Sequence, residues 1–214
     1  MQDMVLTEKL KLSDEIIPRI GEHLGKGKVV LLPTSNTYGF FANALDKNAV
    51  EEIYRLKGRE LNKPMSLFID RKRATKYGDM LAAERIVEMW PCPITVIVPR
   101  LKTVPDYITR GFDSVMMVCT DNFCVKLNEY VDFPIACTSA NRSGEPSIID
   151  FESACADFDG RVSMIVDGGR STHGMNGTII NFGISPPTVM RIGPYPVDKL
   201  RKLVPDLVVA DRMI

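Results

Sequence analysis

The sequence contains few of the residues that build metal centres and disulfide frameworks. Only two histidines are present, His23 and His173, which disfavours histidine-rich metal sites and histidine-based catalytic triads. The five cysteines are an odd number and show no Cys-x-x-Cys spacing, so neither a disulfide framework nor a zinc knuckle is expected. Aromatic residues make up 7% of the chain, too few to suggest a platform on which single-stranded bases stack.

Net charge and long apolar runs are missing as well. The 27 basic and 27 acidic residues give a formal charge of zero, so any site for a polyanion must be a local cluster of cations. No run approaches the about 18 apolar residues that span a bilayer. The start of the chain, residues 1–12, lacks an apolar stretch with a small-residue cleavage site. These absences predict a cytoplasmic protein with no membrane partner.

The residues that are present favour one α/β domain. A 23.9 kDa chain buries about 70% of its unfolded surface, enough for one sizeable core. Short apolar segments interleave with helical spacing, and there is no repeat or composition break. We expect an extension over 1–12, a domain over 13–205 and a tail over 206–214. Predicted strands cover 28–32, 65–69, 94–98, 115–119, 135–137, 163–166, 178–181 and 188–191, and predicted helices cover 16–24, 47–57 and 81–89.

Two polar segments at the ends of predicted elements are candidate ligand sites. Lys57 and Arg59 end the second helix, and Gly58 between them permits a turn that brings both cations to one anion. A solvated helix terminus explains the same pair. Ser139 and Asn141 follow a buried strand and offer donors and acceptors to phosphate or carboxylate oxygens. An ordinary polar turn accounts for them equally well.

Two further segments are weak signals on their own. The first is the loop from Pro33 to Gly39, which contains Thr34 and Tyr38. The second is Arg191-Ile192-Gly193, which follows the last predicted strand of the domain.

Taken together, these segments resemble the YrdC/YwlC/YciO family of threonylcarbamoyl-adenylate synthases. The order and spacing of many short motifs carry the resemblance, which runs from about residue 13 to about residue 205. The motifs are Tyr38-Gly39, Lys57-x-Arg59, Lys63-Pro64, Trp90-Pro91-x-Pro93-x-Thr95, Ser139-x-Asn141, Ser143-Gly144-x-Pro146, Asp167-Gly168-Gly169 and Arg191-x-Gly193. Because a YciO-like branch looks to have lost the Lys-x-Arg pair, this chain falls on the synthase side of the family.

The resemblance implies a single-domain, twisted mixed sheet flanked by helices, with a large basic concave cavity. It also implies that ATP, L-threonine and bicarbonate react to give threonylcarbamoyl-AMP and pyrophosphate, for the modification of adenosine 37 of tRNA. Magnesium is expected with ATP by analogy, but the sequence shows no carboxylate cage and no metal-binding residues are predicted.

The resemblance further assigns roles to individual residues. Lys57 and Arg59 are the expected catalytic pair. ATP is expected to bind Lys57, Arg59, Ser139, Asn141 and Arg191. The amino acid is expected to bind Thr34, Tyr38 and Lys63, the last standing where many relatives have histidine.

The amino-acid half of the predicted site departs from the family pattern. Ser35 and Asn36 replace an acidic residue and a threonine, and Gly177 replaces a serine. Val118 replaces an arginine, and Thr120 the proline two residues later. Loss of a fixed cation from a carboxylate site is costly, because charge-assisted hydrogen bonds contribute about 1.5–3 kcal/mol each. We therefore expect an intact nucleotide site beside an altered amino-acid pocket.

Two other functions remain open from the sequence. One is a related carbamoyl-adenylate enzyme with another acceptor. The other is a non-catalytic paralogue that binds double-stranded RNA or tRNA in the basic cavity, with an affinity that falls steeply with salt.

Overall fold

The computed structural model describes residues 5–213. Within this range, eleven strands form one mixed sheet. The strands are β1 (Glu8–Lys11), β2 (Val30–Pro33), β3 (Tyr38–Asn43), β4 (Ser66–Phe68), β5 (Ile94–Pro99), β6 (Ser114–Val118), β7 (Ile135–Ser139), β8 (Met164–Asp167), β9 (Thr178–Asn181), β10 (Thr188–Arg191) and β11 (Val208–Val209).

Helices connect the strands and flank the sheet. They are α1 (Ile17–Gly25), α2 (Lys47–Lys57), α3 (Arg71–Ala74), α4 (Glu84–Val87), α5 (Asp106–Thr109), α6 (Asn122–Tyr130), α7 (Phe151–Phe158) and α8 (Val197–Arg201), with 3₁₀ turns at Asp14–Ile16 and Leu81–Ala83. Aspartates accept hydrogen bonds from the first backbone N–H groups of α2, α3, α6 and α7, which fixes where these helices begin. Among the described residues, no helix is both long and apolar enough to cross a membrane.

The sheet runs in the order β1-β8-β2-β3-β7-β4-β6-β5-β9-β10-β11 and does not close. The sheet contains both parallel and antiparallel pairs: β2 pairs antiparallel with β3, and β4 pairs parallel with β6. The mixed α/β sheet expected from the sequence is confirmed. Segments expected to lie outside the domain supply both edges, since β1 pairs with β8 and β11 pairs with β10.

The predicted strands correspond to β2, β4, β5, β6, β7, β8, β9 and β10, and the helix at 47–57 is α2. Strand β3 was missed because the polar residues 34–37 and Gly39 make the start of this hairpin's return strand look like a continuation of the loop, although the strand itself is buried. The helix predicted over 81–89 is only a 3₁₀ turn followed by the four residues of α4. Ser13 precedes the first 3₁₀ turn but makes no side-chain capping bond.

The core lies between the sheet and its helices. Phe40 of β3 meets Phe158 of α7 edge to face, with ring centroids 4.8 Å apart, and Phe41 on the same strand meets Phe68 of β4 at the same distance. Such pairs contribute about 0.5–1.5 kcal/mol beyond the area they bury. These contacts fix β3 and β4 rigidly beside β7, whose end carries the polar residues of the candidate site.

Candidate active site

Two contiguous cavities open on one face of the sheet. The outer cavity has a volume of about 680 Å³ and the inner pocket about 100 Å³. The larger volume lies within the roughly 300–1,000 Å³ of typical ligand pockets. The residues shared by the walls of both are Ser66, Thr95, Cys137, Thr138, Ser139, Asn176 and Arg191. One site with two compartments therefore lies over β4, β5, β7 and β10.

The outer cavity is lined by cations without acids. Arg59, Lys63 and Arg191 contribute to its wall, and no described aspartate or glutamate does. The remaining lining residues are polar or apolar, and Phe112 is half-exposed among them. This arrangement suits an anion, because a cavity of one charge sign concentrates the opposite charge.

Arg59 reaches this cavity because α2 ends two residues earlier, at Lys57. Gly58 adopts a left-handed conformation at φ 59°, the turn expected from its position. The guanidinium then donates to the Pro64 carbonyl oxygen at 3.0 Å and to Thr138 Oγ1 at 3.4 Å, while its buried Nε has no partner. Burial lowers the pKa of Arg59. A positioned, partly desolvated guanidinium with a donor to spare is suited to bind phosphate or carboxylate oxygens.

Lys57 lies behind the cavity wall and lines neither compartment. Its ammonium is buried and donates to the Ser139 carbonyl oxygen at 2.7 Å, to Ser139 Oγ at 3.3 Å and to Asn141 Oδ1. Ser139 Oγ also donates to Asn141 Oδ1 at 2.8 Å. The structure thus brings together Lys57, Ser139 and Asn141 as one network that holds the end of β7.

Burial, followed by the charge of Arg59, lowers the pKa of Lys57 from 10.5 to about 7. Unfolding returns it to 10.5, so between these values the unfolded chain binds more protons and stability rises with pH. We expect the free energy of unfolding of the wild type, relative to Lys57→Met, to increase from about pH 7 to about pH 10. Urea denaturation across this range measures the difference. A difference that is flat with pH contradicts the shifted pKa.

Arg191 lies on the wall between the two compartments. Its Nε donates to the Gly177 carbonyl oxygen at 2.9 Å, and burial lowers its pKa. Gly193 approaches β9 so closely that an added Cβ would stand 2.7 Å from the Asn176 carbonyl oxygen and 2.5 Å from the Gly177 carbonyl carbon. The glycine of the Arg-x-Gly motif is therefore required by the close approach of two backbones, which sets the position of the arginine.

The loop between β2 and β3 forms one side of the inner pocket. Thr34 lines the pocket, but its hydroxyl donates to the Thr37 carbonyl oxygen at 2.7 Å and accepts from the backbone N–H of Asn36 at 3.2 Å. The backbone N–H of Ser35 donates to Asp121 Oδ2 at 3.0 Å. The side chains of Thr34 and Asp121 therefore hold the loop in place by hydrogen bonds.

The departures from the family pattern meet in the inner pocket. Asn36, Val118, Thr120 and Gly177 all line it. Val118 is buried, and the Thr120 hydroxyl donates to Asp121 Oδ2 at 2.8 Å. Among the described lining residues of this pocket, Arg191 carries the only positive charge. A carboxylate bound in the inner pocket would therefore have no positive charge at position 118 to neutralise it.

Two of the residues expected at the amino-acid site lie away from the inner pocket. Tyr38 is fully buried, and its hydroxyl donates to the Gly169 carbonyl oxygen at 2.8 Å and accepts from the Gly168 N–H at 3.1 Å. Tyr38 lines neither compartment. Lys63 lines the outer cavity; its side chain is half-exposed, and its Nζ lies 3.5 Å from Glu60 Oε2. The structure places Lys63 with the cations of the outer cavity.

Sequence reasoning missed several lining residues. Ser66, Asn176 and Asn181 line the site but lie in segments without distinctive motifs. Thr95 belongs to the Trp90-Pro91-x-Pro93-x-Thr95 motif, and its spacing from Trp90 was the only signal in the sequence that pointed to it. Within residues 5–213, no group of three or more histidine, cysteine, aspartate or glutamate side chains is arranged to hold a metal ion.

Comparison with known proteins agrees with this geometry. A family model matches residues 22–193 of the chain. It is the Sua5/YciO/YrdC model, which carries the description "Telomere recombination". A threonylcarbamoyl-AMP synthase of Pyrococcus abyssi is 35% identical over 85% of this chain and 55% of its own length. One of Bacillus subtilis is 31% identical over 91% of this chain and 61% of its own length. This chain therefore spans little more than half the length of these two relatives.

Solved structures give the same result. The structure of P. abyssi Sua5 complexed with L-threonine superposes with a TM-score of 0.88 at 31% identity, covering 96% of this chain and 62% of that one. Escherichia coli YciO has a TM-score of 0.77 at 22% identity, covering 92% and 98% of the two chains, and this match shows the fold alone. The sequence match over 22–193 and the shared fold establish that the chain belongs to the Sua5/YciO/YrdC family.

Proposed function

We propose that this protein is a threonylcarbamoyl-AMP synthase, which converts ATP, L-threonine and bicarbonate to threonylcarbamoyl-AMP and pyrophosphate. The observation that carries the proposal is the two-compartment site, in which a cationic cavity opens directly into a small polar pocket. A nucleoside triphosphate suits the first compartment, and a small amino acid suits the second. The named synthases among the relatives favour the same activity.

The reaction requires the two substrates to meet at the shared wall. The neutral amine of threonine forms a C–N bond to carbon dioxide derived from bicarbonate, releases a proton to solvent and becomes a carbamate. A carbamate oxygen then forms a bond to the α-phosphorus of ATP, and the bond from that phosphorus to the oxygen bridging to the β-phosphorus breaks. Pyrophosphate leaves with the bonding electrons. Charge compensation and alignment promote such a transfer more than a strong base does.

Arg59, Arg191 and Lys57 have distinct roles in this proposal. Arg59 contacts the phosphate chain and stabilises the charge that grows on pyrophosphate. Arg191, at the boundary of the compartments, contacts the oxygens where carbamate and α-phosphate meet. Lys57 is a positioning residue, because its ammonium is engaged with Ser139 and Asn141. Ser139 lines both compartments and offers its hydroxyl oxygen to the nucleotide, whereas Asn141 lines neither compartment and holds the end of β7 with both of its amide atoms.

Magnesium enters this scheme as part of the substrate, because ATP is normally the magnesium complex. The same proposal places the reaction in the cytoplasm, where its product serves the modification of adenosine 37 of tRNA. Bicarbonate needs no separate pocket, since it reaches the amine as carbon dioxide.

The proposal predicts pyrophosphate release that depends on all three substrates. Purified protein with Mg²⁺ and ATP should release pyrophosphate only when both L-threonine and bicarbonate are added, and the adenylate should appear by mass spectrometry. Omission of threonine or bicarbonate is the matched control in each case. Absence of release with all three substrates would overturn the proposal. Salt-sensitive retention of RNA without any release would favour the RNA-binding alternative, which the named relatives do not favour.

A further inference from the structure

The inner pocket contains a buried amide without a hydrogen-bond partner. We propose that Asn36 determines the specificity of this pocket by hydrogen-bonding the β-hydroxyl of a hydroxy amino acid. The inference deepens the proposed function and rests on it for the identity of the pocket's occupant. It concerns a residue at which this chain departs from the family pattern.

The position of Asn36 is fixed by the loop between β2 and β3. Its backbone N–H donates to Thr34 Oγ1 at 3.2 Å, and the Ser35 hydroxyl next to it donates to the Thr120 carbonyl oxygen at 3.1 Å. The Asn36 side chain is 7% exposed and lines the inner pocket. Its Oδ1 has no hydrogen-bond partner among the described residues. An unpaired buried acceptor is costly, so a ligand that donates a hydrogen bond to it binds more tightly.

Gly177 provides the space that the amide occupies. An added Cβ at Gly177 would stand 2.8 Å from Asn36 Nδ2 and 2.7 Å from the Pro93 carbonyl oxygen. Any side chain at 177 therefore collides with the asparagine and with the backbone of the segment before β5. The two departures from the family pattern, Asn36 and Gly177, are far apart in sequence but adjacent in the fold. The larger side chain at 36 occupies the space left by the absent side chain at 177.

A hydroxyl is the group that matches this amide best. Rotation of the Asn36 side chain by half a turn exchanges its oxygen and nitrogen. Because a hydroxyl both donates and accepts, it pairs with whichever atom faces it. A carboxylate accepts only from Nδ2, and Val118 supplies no cation to neutralise its charge there. The pocket therefore selects the hydroxyl end of the amino acid and leaves the carboxylate to the wall near Arg191.

Calorimetric titration tests this assignment without the chemical step. Wild-type protein should bind L-threonine at least about tenfold more tightly than L-2-aminobutyrate, which lacks the hydroxyl. Asn36→Leu, of similar size, should bring the ratio of the two dissociation constants close to one. Asn36→Thr restores a hydroxyl and should recover part of the preference. Asn48→Leu, the same change on α2 outside both compartments, should leave the ratio unchanged.

The outcomes separate this inference from the proposed function. Equal binding of the two ligands by the wild type, binding of neither, or an unchanged ratio in both Asn36 variants would overturn the role of Asn36. If Asn36→Leu does not fold, the Asn36→Thr ratio decides. Threonine preference without pyrophosphate release would retain the inference and reject the synthase.

Discussion

Arg59→Ala should lower kcat for pyrophosphate release by about 100-fold or more, the loss typical when one positioned charge-stabilising donor is removed. The guanidinium is held by the Pro64 carbonyl oxygen and by Thr138, and its Nε remains unpaired. The substitution therefore removes a charge that is already oriented toward the outer cavity. Initial rates at saturating ATP, threonine and bicarbonate provide the measurement.

Arg55→Ala is the matched control for this experiment. Arg55 lies one turn earlier on α2, is half-exposed and pairs with Glu52, and exposed pairs of this kind contribute about 0.2–1 kcal/mol. The rate of pyrophosphate release by the Arg55→Ala variant should therefore stay near that of the wild type. Arg59→Lys should recover only part of the rate, because an ammonium cannot reproduce the planar fork of guanidinium donors. A rate for Arg59→Ala within about threefold of the wild type would remove Arg59 from the mechanism.

Gly193→Ala should be the most damaging glycine-to-alanine change among the described residues. The new Cβ would collide with backbone atoms of Asn176, Gly177 and Thr178, and backbone yields far less than the end of a flexible side chain. Overpacking of this kind costs about 3 kcal/mol, which for a chain of this size lowers Tm by about 6–12 °C. Because the same backbone contact positions Arg191, activity should also fall, by about tenfold at temperatures where the variant remains folded.

Gly183→Ala is the control on the same hairpin, between β9 and β10. There an added Cβ would meet only Asn181 Oδ1, at 3.2 Å, and a shift of a few tenths of an ångström in that side chain relieves the contact. Thermal unfolding of both variants by circular dichroism, with activity assayed in parallel, gives the comparison. Equal Tm values for the two variants would show that the approach of Gly193 to β9 is not a tight one.

The sequence predicted the order of the elements far better than the contacts among them. Helical spacing located α2, and short continuous apolar runs located eight of the strands, among them β2, β8 and β9, which are buried on both faces. Strand β3 is equally buried, but Gly39 and the polar residues 34–37 before it interrupt the apolar run. The edge strands β1 and β11 are short and polar or half-exposed, so their pairing depends on distant segments that a local window does not contain.

The candidate site shows the same division between local and long-range information. Motifs predicted the importance of Arg59, Ser139 and Arg191, which the structure places on the wall of the outer cavity. The burial of Lys57 behind that wall was not visible in a Lys-x-Arg pair, because it depends on β7 meeting the end of α2. The contact between Asn36 and Gly177 likewise joins distant segments. Each departure looked like a loss when it was considered alone.

Because the two compartments share a wall, the order in which the nucleotide binds and the carbamate forms matters. A carbamate formed from an amine and carbon dioxide reverts readily, so an amino acid activated in one place and adenylated in another would lose its carbon dioxide in transit. Here Ser139, Thr138 and Arg191 border both compartments, and no diffusion step separates them. Under the proposed function, the nucleotide must already be seated when the carbamate forms. The enzyme then turns over by capturing a short-lived species rather than by stabilising it.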